Sequence, residues 1–460
     1  MGCGMEFIYA DKNVLVLGLG KSGIAAAKLL HHQGAKVIVN DKKNIEYVEN
    51  EVSELKKLGI EVIVGYHPEN LINNKLDLIV KNPGIPYHIQ PLIEAKSRNI
   101  PIITEIELAY KLFGLKYIGI TGSNGKTTTT TLVGEILCNA GFKPVVGGNI
   151  GTPLSEIVLN EGPLLLQRPI VLELSSFQLQ GIQDFRCHIA AILNIYETHL
   201  DYHGNLNNYI DAKNNIFRNQ HPTDYLILNA DQPLYRDYYK KIKSDIIFCS
   251  SNNAKQNGFA VDNGEIVYRT DYQKNPICSL NEILIPGKHN IENALFASAI
   301  SVLKGVPLDI IRNTLINFKG VEHRIEYVGT FKGARFYNDS KATNQQATIR
   351  ALESFRGNII LIAGGLDRGN NFNELIPILY NRVKALIVLG ETANKLRDAG
   401  EKAGIKYIIN VNNLEEAVKE SKNLAKTDDI ILLSPACASW DMFSSFEERG
   451  SMYKKYILEV

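Results

Sequence analysis

The chain has 460 residues, 45% of them hydrophobic and 22% charged, with 50 basic and 49 acidic side chains and a formal net charge of +1. That length sets about three domains as the starting expectation. The balanced charge, with no basic run, argues against a nucleic-acid binder but leaves room for a local anion pocket. No run of about 18 apolar residues is present, so no membrane span is expected. The opening text "MGCGMEFIYADK" lacks the basic and apolar regions of a signal peptide. The six cysteines (3, 138, 187, 249, 278 and 437) are scattered without a C-x-x-C pair, which points to no disulfide frame and to the reducing cytoplasm.

Short apolar runs alternate with longer helical patterns. "VLVLGLG", "VIVND", "VIVGY" and "LIVKNPG" fill the first hundred residues, then "YIGITG", "IVLELSS", "IAAILNI" and "YLILNAD". "ARFYNDS", "IILIAGG", "ALIVLG" and "IILLSPA" close the series. Continuous apolar strands separated by helices predict an α/β protein with mostly parallel sheets buried on both faces. Each run ends in Gly, Asn, Asp or Ser, so polar groups gather at the C-terminal edge of a sheet, where open α/β folds bind ligands. Breaks near residues 100–116 and 319–327 divide the chain into 1–104, 105–319 and 320–460. The Asn263-Gly264 pair in "VDNGEIVYR" predicts a small hairpin.

Two stretches read as phosphate sites. The first is G-x-G-x-x-G at Gly18, Gly20 and Gly23, with Lys21 and Ser22 inside it, between a strand and a helix; Asp41 ends the next strand. The pattern suits a dinucleotide, but glycines and a helix N-terminus suit any nucleotide diphosphate, including a UDP-sugar. A ligand-free strand–helix turn explains it as well, so the motif alone leaves all three readings open.

The second is "ITGSNGKTT". The standard loop is G-x-x-x-x-G-K-[ST], yet the residue five before Gly125 is Ile120. The working parts are still there: Gly122, Ser123, Asn124 and Gly125 to wrap phosphate oxygens, Lys126 to reach the terminal phosphates, and Thr127 or Thr128 to offer Mg²⁺ a hydroxyl. Leu132, Val133, Ile136 and Leu137 mark one face of the helix that follows. Simple capping of a helix explains neither the lysine nor the paired glycines. Downstream, Asn149 falls in a glycine-rich turn and Glu173 at a strand end, where a second Mg²⁺ ligand belongs. "ILNIYETHLDYHGNLNNYIDAK" supplies His199 and Lys213. His199 and His203, at i and i+4, could bind zinc, but no third ligand is near, and surface histidines are the plainer reading.

The ordered series "TGSNGKTT", "GGNIG", "LELSSFQL", "LNIYETHLDYH", "GKHNIENALFA", "VEHRIE", "NDSKATN" and "LLSPACAS" followed by "FEERG" resembles the Mur ligases of peptidoglycan synthesis over nearly the whole chain. "NDSKATN" and "SPACAS" match the D-glutamate-adding members. The displaced first glycine is that family's variant, so the second loop is read as an ATP site. The resemblance implies three domains: a Rossmann-like N-terminal domain for the UDP group, a central P-loop ATPase-like domain, and a Rossmann-like C-terminal domain.

It also implies roles. Gly18, Gly20, Lys21, Ser22, Gly23, Asp41, Asn82, Gly84, Asn149, Ser175 and Gln178 face UDP-N-acetylmuramoyl-L-alanine. The P-loop residues 122–128 with Asn290, Asn293, Arg324, Asp339 and Lys341 serve ATP. Thr127, Glu173, His199 and Lys213 hold Mg²⁺, with Lys213 carrying a carbamate. Lys126, Glu173, His199 and Lys213 are the catalytic set, and Thr343, Arg368, Ser439 and Phe446 surround D-glutamate. Arg368 stands where some members have lysine, and a solvated surface arginine is its plain alternative. The implied protein is a cytoplasmic monomer of cell-wall synthesis, tied to cell shape, division and the cell cycle.

Three rivals remain at this stage. A folylpolyglutamate synthase or a sibling Mur ligase shares the core, but the N-terminal UDP-type domain weighs against the folate enzyme. An NAD-dependent oxidoreductase leaves Lys126 unexplained. A non-enzymatic nucleotide switch has no need of Glu173, His199 and Lys213 together.

Overall fold

Each apolar run noted in the sequence becomes a strand, and most of these strands are followed by a helix. The computed structural model describes residues 7–232, 242–252 and 257–459; Cys3 and the first residues of the scanned N-terminal stretch lie outside them. Two compact units form, one of residues 1–277 and 292–312, the other of 278–291 and 313–460.

The first unit holds a five-stranded parallel sheet and most of a larger one. The smaller sheet is ordered Glu61–Val64, Lys36–Asp41, Asn13–Leu17, Leu78–Lys81, Ile102–Ile103. The strand order steps outward from Asn13–Leu17 in both directions, so the loops after Leu17 and Lys81 meet at one edge. The larger sheet has nine strands among the described residues. Its parallel heart runs Val145–Gly148, Ile170–Glu173, Tyr117–Thr121, Cys187–Ile192, Tyr225–Asn229, Asp245–Ser250. Tyr117–Thr121 sits centrally, and the loop after it, the P-loop, is flanked by the ends of Ile170–Glu173 and Cys187–Ile192.

The two sheets share one core. Helix Lys21–His32, whose Ala25, Ala26, Ala27, Leu29 and Leu30 are buried, packs on Leu154–Glu161. Helix Glu105–Leu112 joins the same cluster and carries a clasp. The buried Glu107 carboxylate accepts the backbone N–H groups of Gln183, Asp184 and Phe185, each at 2.9 Å.

The hairpin at Asn263-Gly264 forms as expected: Gly258–Asp262 pairs antiparallel with Glu265–Arg269, and both turn residues have positive φ (50° and 79°). Two features were not read from sequence. Val145–Gly148 is a strand rather than only a turn. The edge of the third sheet, Glu326–Phe331, runs antiparallel to Ala334–Asn338.

The second unit is a six-stranded sheet ordered Glu326–Phe331, Ala334–Asn338, Ile430–Leu433, Ile359–Gly364, Val383–Leu389, Tyr407–Asn410, parallel apart from that edge pair. Helices cover both faces, giving two apolar layers, one around Leu361 and Leu386 and one around Ile360 and Ile387. The loops "NDSKATN", "GGLDRG" and "SPACAS" follow neighbouring strands at one edge.

The Glu107 clasp yields a stability prediction. Glu107→Ala leaves three buried N–H groups without their acceptor, so the first unit should lose about 3 kcal/mol. Urea unfolding of the variant measures this, and a loss under about 1 kcal/mol would show that the clasp is dispensable.

Candidate functional site

The phosphate loop of the first unit is shaped by two glycines and an asparagine clamp. Gly122 and Gly125 have φ of 155° and 83°. Asn194, just past strand Cys187–Ile192, accepts the Asn124 N–H at 2.9 Å on its side chain and the Ser123 N–H at 2.9 Å on its carbonyl. Helix Lys126–Asn139 then begins, and its first internal bond is Thr129 N–H to Gly125 O. The amides of Thr127 and Thr128 lie ahead of that bond, at the positive end of the helix dipole. Lys126 curls back, its Nζ donating to Gly122 O at 2.9 Å and Ser123 O at 3.0 Å. Asn293 closes the loop from behind: it accepts from the Thr129 hydroxyl at 3.2 Å, and a Cβ on Gly125 would meet its Oδ1 at 2.2 Å.

A buried carboxylate stands next to this loop. Glu173, 2% exposed, accepts the Thr127 hydroxyl at 2.8 Å and the Asn149 amide at 2.7 Å. No three His, Cys, Asp or Glu side chains gather as a metal cluster among the described residues. A hydroxyl plus a carboxylate, completed by water and phosphate oxygens, is still the sparse oxygen set that Mg²⁺ takes, so Thr127 and Glu173 fit it.

Lys213 is also buried. Its Nζ donates to Gly122 O at 2.8 Å and to Thr121 Oγ1 at 3.3 Å, and lies 4.8 Å from the centre of the Tyr209 ring. Burial, and next Lys126, push its pKa well down, toward the neutral amine. His199 is exposed in a left-handed conformation (φ 56°). Its pKa is lowered by partial desolvation and then by Lys126 and Lys213, which places it in their electrostatic field.

His203 corrects the sequence reading. It is 5% exposed, not a surface residue, and stacks on Phe177 with ring centres 5.4 Å apart. Its Nε2 meets the Ser176 hydroxyl at 3.0 Å, and burial lowers its pKa to about 4. A zinc pair with His199 is not formed, because the helical turn Leu200–His203 directs this ring into the protein.

A 260 Å³ cavity lies beside Glu173. Lys21, Ser22, Asn82, Gly84, Asn149, Ser175 and Gln178 all line it, with Pro83 and Phe177 among the other walls. Gly18, Gly20, Gly23 and Asp41 do not; they build the turn beneath it. A Cβ on Gly23 would sit 2.0 Å from Gly18 O, and one on Gly20 would sit 2.2 Å from the Asn82 amide nitrogen. Asp41 spends its two oxygens on the N–H groups of Leu19 (2.6 Å) and Lys43 (2.8 Å). A carboxylate so engaged does not offer itself to a ribose, which weighs against the dinucleotide reading.

Ser175 and Gln178 form a capping box, with Gln178 Oε1 accepting the Ser175 N–H at 3.0 Å. Glu105 lies behind them, its carboxylate accepting the Ser155 N–H at 3.0 Å while burial raises its pKa to about 7.

In the second unit Asp339, Lys341, Thr343, Arg368 and Ser439 fall on the three edge loops, while Asn290 lies in helix Lys288–Leu303, Arg324 ahead of strand Glu326–Phe331, and Phe446 at the start of helix Phe446–Leu458. Asp339 accepts the Ser434 hydroxyl at 2.8 Å and the Ile325 N–H at 3.3 Å; burial raises its pKa to about 7, against the pull of Arg324. Lys341 is exposed, with its Nζ 5.6 Å from the Phe446 ring centre. Asn290 is buried and donates to Pro286 O at 2.7 Å. Thr343 follows Lys341 on the same loop, its N–H bonded to Lys341 O. Arg368 is exposed but not simply solvated: its guanidinium lies 5.0 Å over the Trp440 ring. Ser439 is 2% exposed, and its hydroxyl has no hydrogen-bond partner, an orphan that a ligand group would satisfy.

Sequence reasoning missed Asn194, Tyr209, Lys81 and Arg449. The Arg449 guanidinium is buried and donates to the carbonyls of Ser340 (2.9 Å) and Cys437 (3.0 Å), pinning two of the edge loops together. The spacing of "FEERG" gives no hint of that distant partner.

A family model for the MurD-like N-terminal domain of Mur ligases matches residues 12–104, the Mur ligase middle domain matches 120–301, and the Mur ligase glutamate ligase domain matches 323–437. UDP-N-acetylmuramoylalanine--D-glutamate ligase of Geobacillus kaustophilus is 47% identical over 447 residues, 97% of each chain. The protein of the same name from Enterococcus hirae is 48% identical over 450 residues, 97% of this chain and 96% of that one. Among solved structures, the MurF ligase from Thermotoga maritima in complex with ADP aligns with a TM-score of 0.54 at 17% identity, covering 99% of this chain and 97% of that one. UDP-N-acetylmuramate-alanine ligase MurC from the same organism aligns with 0.54 at 20%, covering 97% and 99%. These two share the fold.

The Gly125 contact generates a prediction. Gly125→Ala demands a Cβ against Asn293 in a left-handed backbone, so the loop must shift. ATP affinity, read by calorimetry, should fall by about 10²-fold. Unaltered affinity would show that the loop is not the phosphate cradle.

Proposed function

The chain belongs to the Mur ligase family, and we propose that it joins D-glutamate to UDP-N-acetylmuramoyl-L-alanine at the expense of ATP, in peptidoglycan precursor synthesis. The observation that carries the chemistry is the Thr127–Glu173–Asn149 contact, because Asn149 lines the cavity and Thr127 opens the phosphate-loop helix. An acceptor carboxylate in the cavity and the terminal phosphate of ATP at the loop would therefore be neighbours.

We assign the UDP-linked substrate to the cavity between residues 18–23, 82–84, 149 and 175–178, and ATP to residues 122–128 with Asn293. Asn290, Arg324, Asp339 and Lys341 are our further candidates for ATP, and Thr343, Arg368, Ser439 and Phe446 for D-glutamate. We propose domains of 1–104, 105–319 and 320–460, supported by the separate sheet that each range holds. We place the protein in the cytoplasm as a monomer, with roles in cell shape and division following from wall synthesis.

The reaction has two steps. The alanyl carboxylate attacks the terminal phosphorus of ATP, ADP leaves, and an acyl phosphate forms. The D-glutamate amine then adds to that carbonyl, loses its proton, and inorganic phosphate departs as the amide closes. Lys126 and the amides at the start of the helix hold the transferring phosphoryl group and its charge. Magnesium, when bound, supplies Lewis acidity at the phosphate oxygens, and Thr127, Glu173, His199 and Lys213 are the residues that would hold it. Lys213 fits the role only as an anion. Burial favours its neutral amine, which is the form that adds CO₂ to give a carbamate.

Two measurements test this reading. Phosphate release with ATP and UDP-N-acetylmuramoyl-L-alanine should require D-glutamate, with L-glutamate, L-lysine or meso-diaminopimelate slower by about 10²-fold or more, since the wrong stereochemistry misaims the amine. Equal rates with L-glutamate would sink the assignment. Lys213→Arg keeps a long basic side chain but cannot form the carbamate. It should lose nearly all turnover while circular dichroism stays unchanged, and an active Arg variant would make Lys213 a structural lysine.

A further inference from the structure

Lys81 ends strand Leu78–Lys81 with its side chain fully buried. No carboxylate pairs with it among the described residues. Its Nζ donates to Ile85 O at 2.8 Å, Pro83 O at 2.9 Å and Asn82 O at 3.3 Å, and lies 3.3 Å from the Tyr202 hydroxyl. The Tyr87 ring centre is 4.5 Å away and the Tyr202 ring centre 6.0 Å. Carbonyl dipoles and aromatic faces thus replace the counter-ion, and burial brings the amine's pKa down to about 7. A buried cation without a carboxylate is costly.

What the cation organises is the turn 82–85. In a trans peptide the C=O and the following N–H point in opposite directions, and no cis peptide occurs among the described residues. Drawing the carbonyls of 82, 83 and 85 onto the ammonium turns the next amides outward. Residues 83 and 86 are prolines and have none, so the one N–H presented this way is that of Gly84, which lines the cavity. On the other side, the Asn82 amide is seated against Gly20 of the first glycine loop.

The same knot reaches the helical turn that follows His199. The Tyr202 hydroxyl is 3.2 Å from Pro83 O and 3.1 Å from Ile85 O, and its ring packs edge-on against Phe177, another cavity wall, at 4.5 Å.

We propose that Lys81 is a positioning residue for the UDP-linked substrate: with Tyr202 it sets the 82–85 turn so that Asn82 and the Gly84 N–H face that ligand. This rests on the cavity's assignment to UDP-N-acetylmuramoyl-L-alanine. Lys81→Met keeps the stem and removes the donors. Its KM and its calorimetric Kd for that substrate should rise at least about tenfold. Its kcat and its KM for ATP and D-glutamate should stay within about threefold, because the phosphate loop is untouched. The melting temperature should fall, as the carbonyls of 82, 83 and 85 lose their donor, so the KM split rather than stability carries the test. A purely structural lysine would lower stability alike but spare the KM split. If Lys81→Met does not fold, Tyr202→Phe decides: it should weaken the same Kd about threefold, and no change overturns the proposal. Asn82→Ala serves as the reference. Weak binding in Asn82→Ala with normal binding in Lys81→Met removes the role of Lys81 alone, whereas normal binding in both removes the cavity assignment.

Discussion

The carboxylate of Glu173 is the fixed point of the first unit. It sits at the end of strand Ile170–Glu173, one in from the sheet edge, almost out of water, with no lysine or arginine in salt-bridge range among the described residues. Its two oxygens are shared between the hydroxyl that opens the phosphate-loop helix and the amide of a cavity residue. A buried carboxylate held by only two neutral donors is poorly compensated. Its place is understandable if a cation joins it, and the strand order puts it there: Ile170–Glu173 lies directly beside Tyr117–Thr121, so the ends of both strands open on the same space.

Around that one acid stand several basic groups. Lys126 and Lys213 both donate to Gly122 O, and each depresses the pKa of His199. Like charges this close repel one another, and burial adds to the cost for Lys213. A polyphosphate suits such a cluster of basic groups. Charge balance over the whole chain, near zero, conceals this local excess. The composition could exclude a nucleic-acid surface yet could not reveal the pocket.

The parts of the site legible in sequence were those defined by backbone geometry. Gly122, Gly125 and Lys126 announce a phosphate loop because few other folds need that combination, and the apolar runs announce their sheets by length alone. Side-chain partnerships over long separations were not legible. Nothing near Asp41 says that its oxygens will hold the glycine turn instead of a ribose. His203 shares its i, i+4 spacing with any surface pair, and only the packing of Phe177 and Ser176 shows that it turns inward. The resemblance implies a ligand contact at Gln178, and its carbonyl oxygen also closes the capping box with Ser175, which the sequence does not announce. Gln178 reaches the cavity as part of the wall's architecture, with its amide nitrogen directed at Glu105, 3.5 Å away.

Both units tie their edge loops together with the same device. Lys81 in the first and Arg449 in the second are buried cations surrounded by backbone carbonyls rather than carboxylates. A carboxylate partner would neutralise the cation locally and leave the loops free. Carbonyl partners make the cation the hub on which loop conformation depends, and they reverse the direction of each following amide. Arg449 takes the carbonyl of Cys437, so the amide of Ala438 is turned away from it, next to the unpartnered hydroxyl of Ser439. A Lys-for-Arg exchange could not reproduce this at Arg449, since the guanidinium spans Ser340 and Cys437 at once with a planar fork that an ammonium lacks. The shorter reach of the lysine suits position 81, where the carbonyls come from a single tight turn.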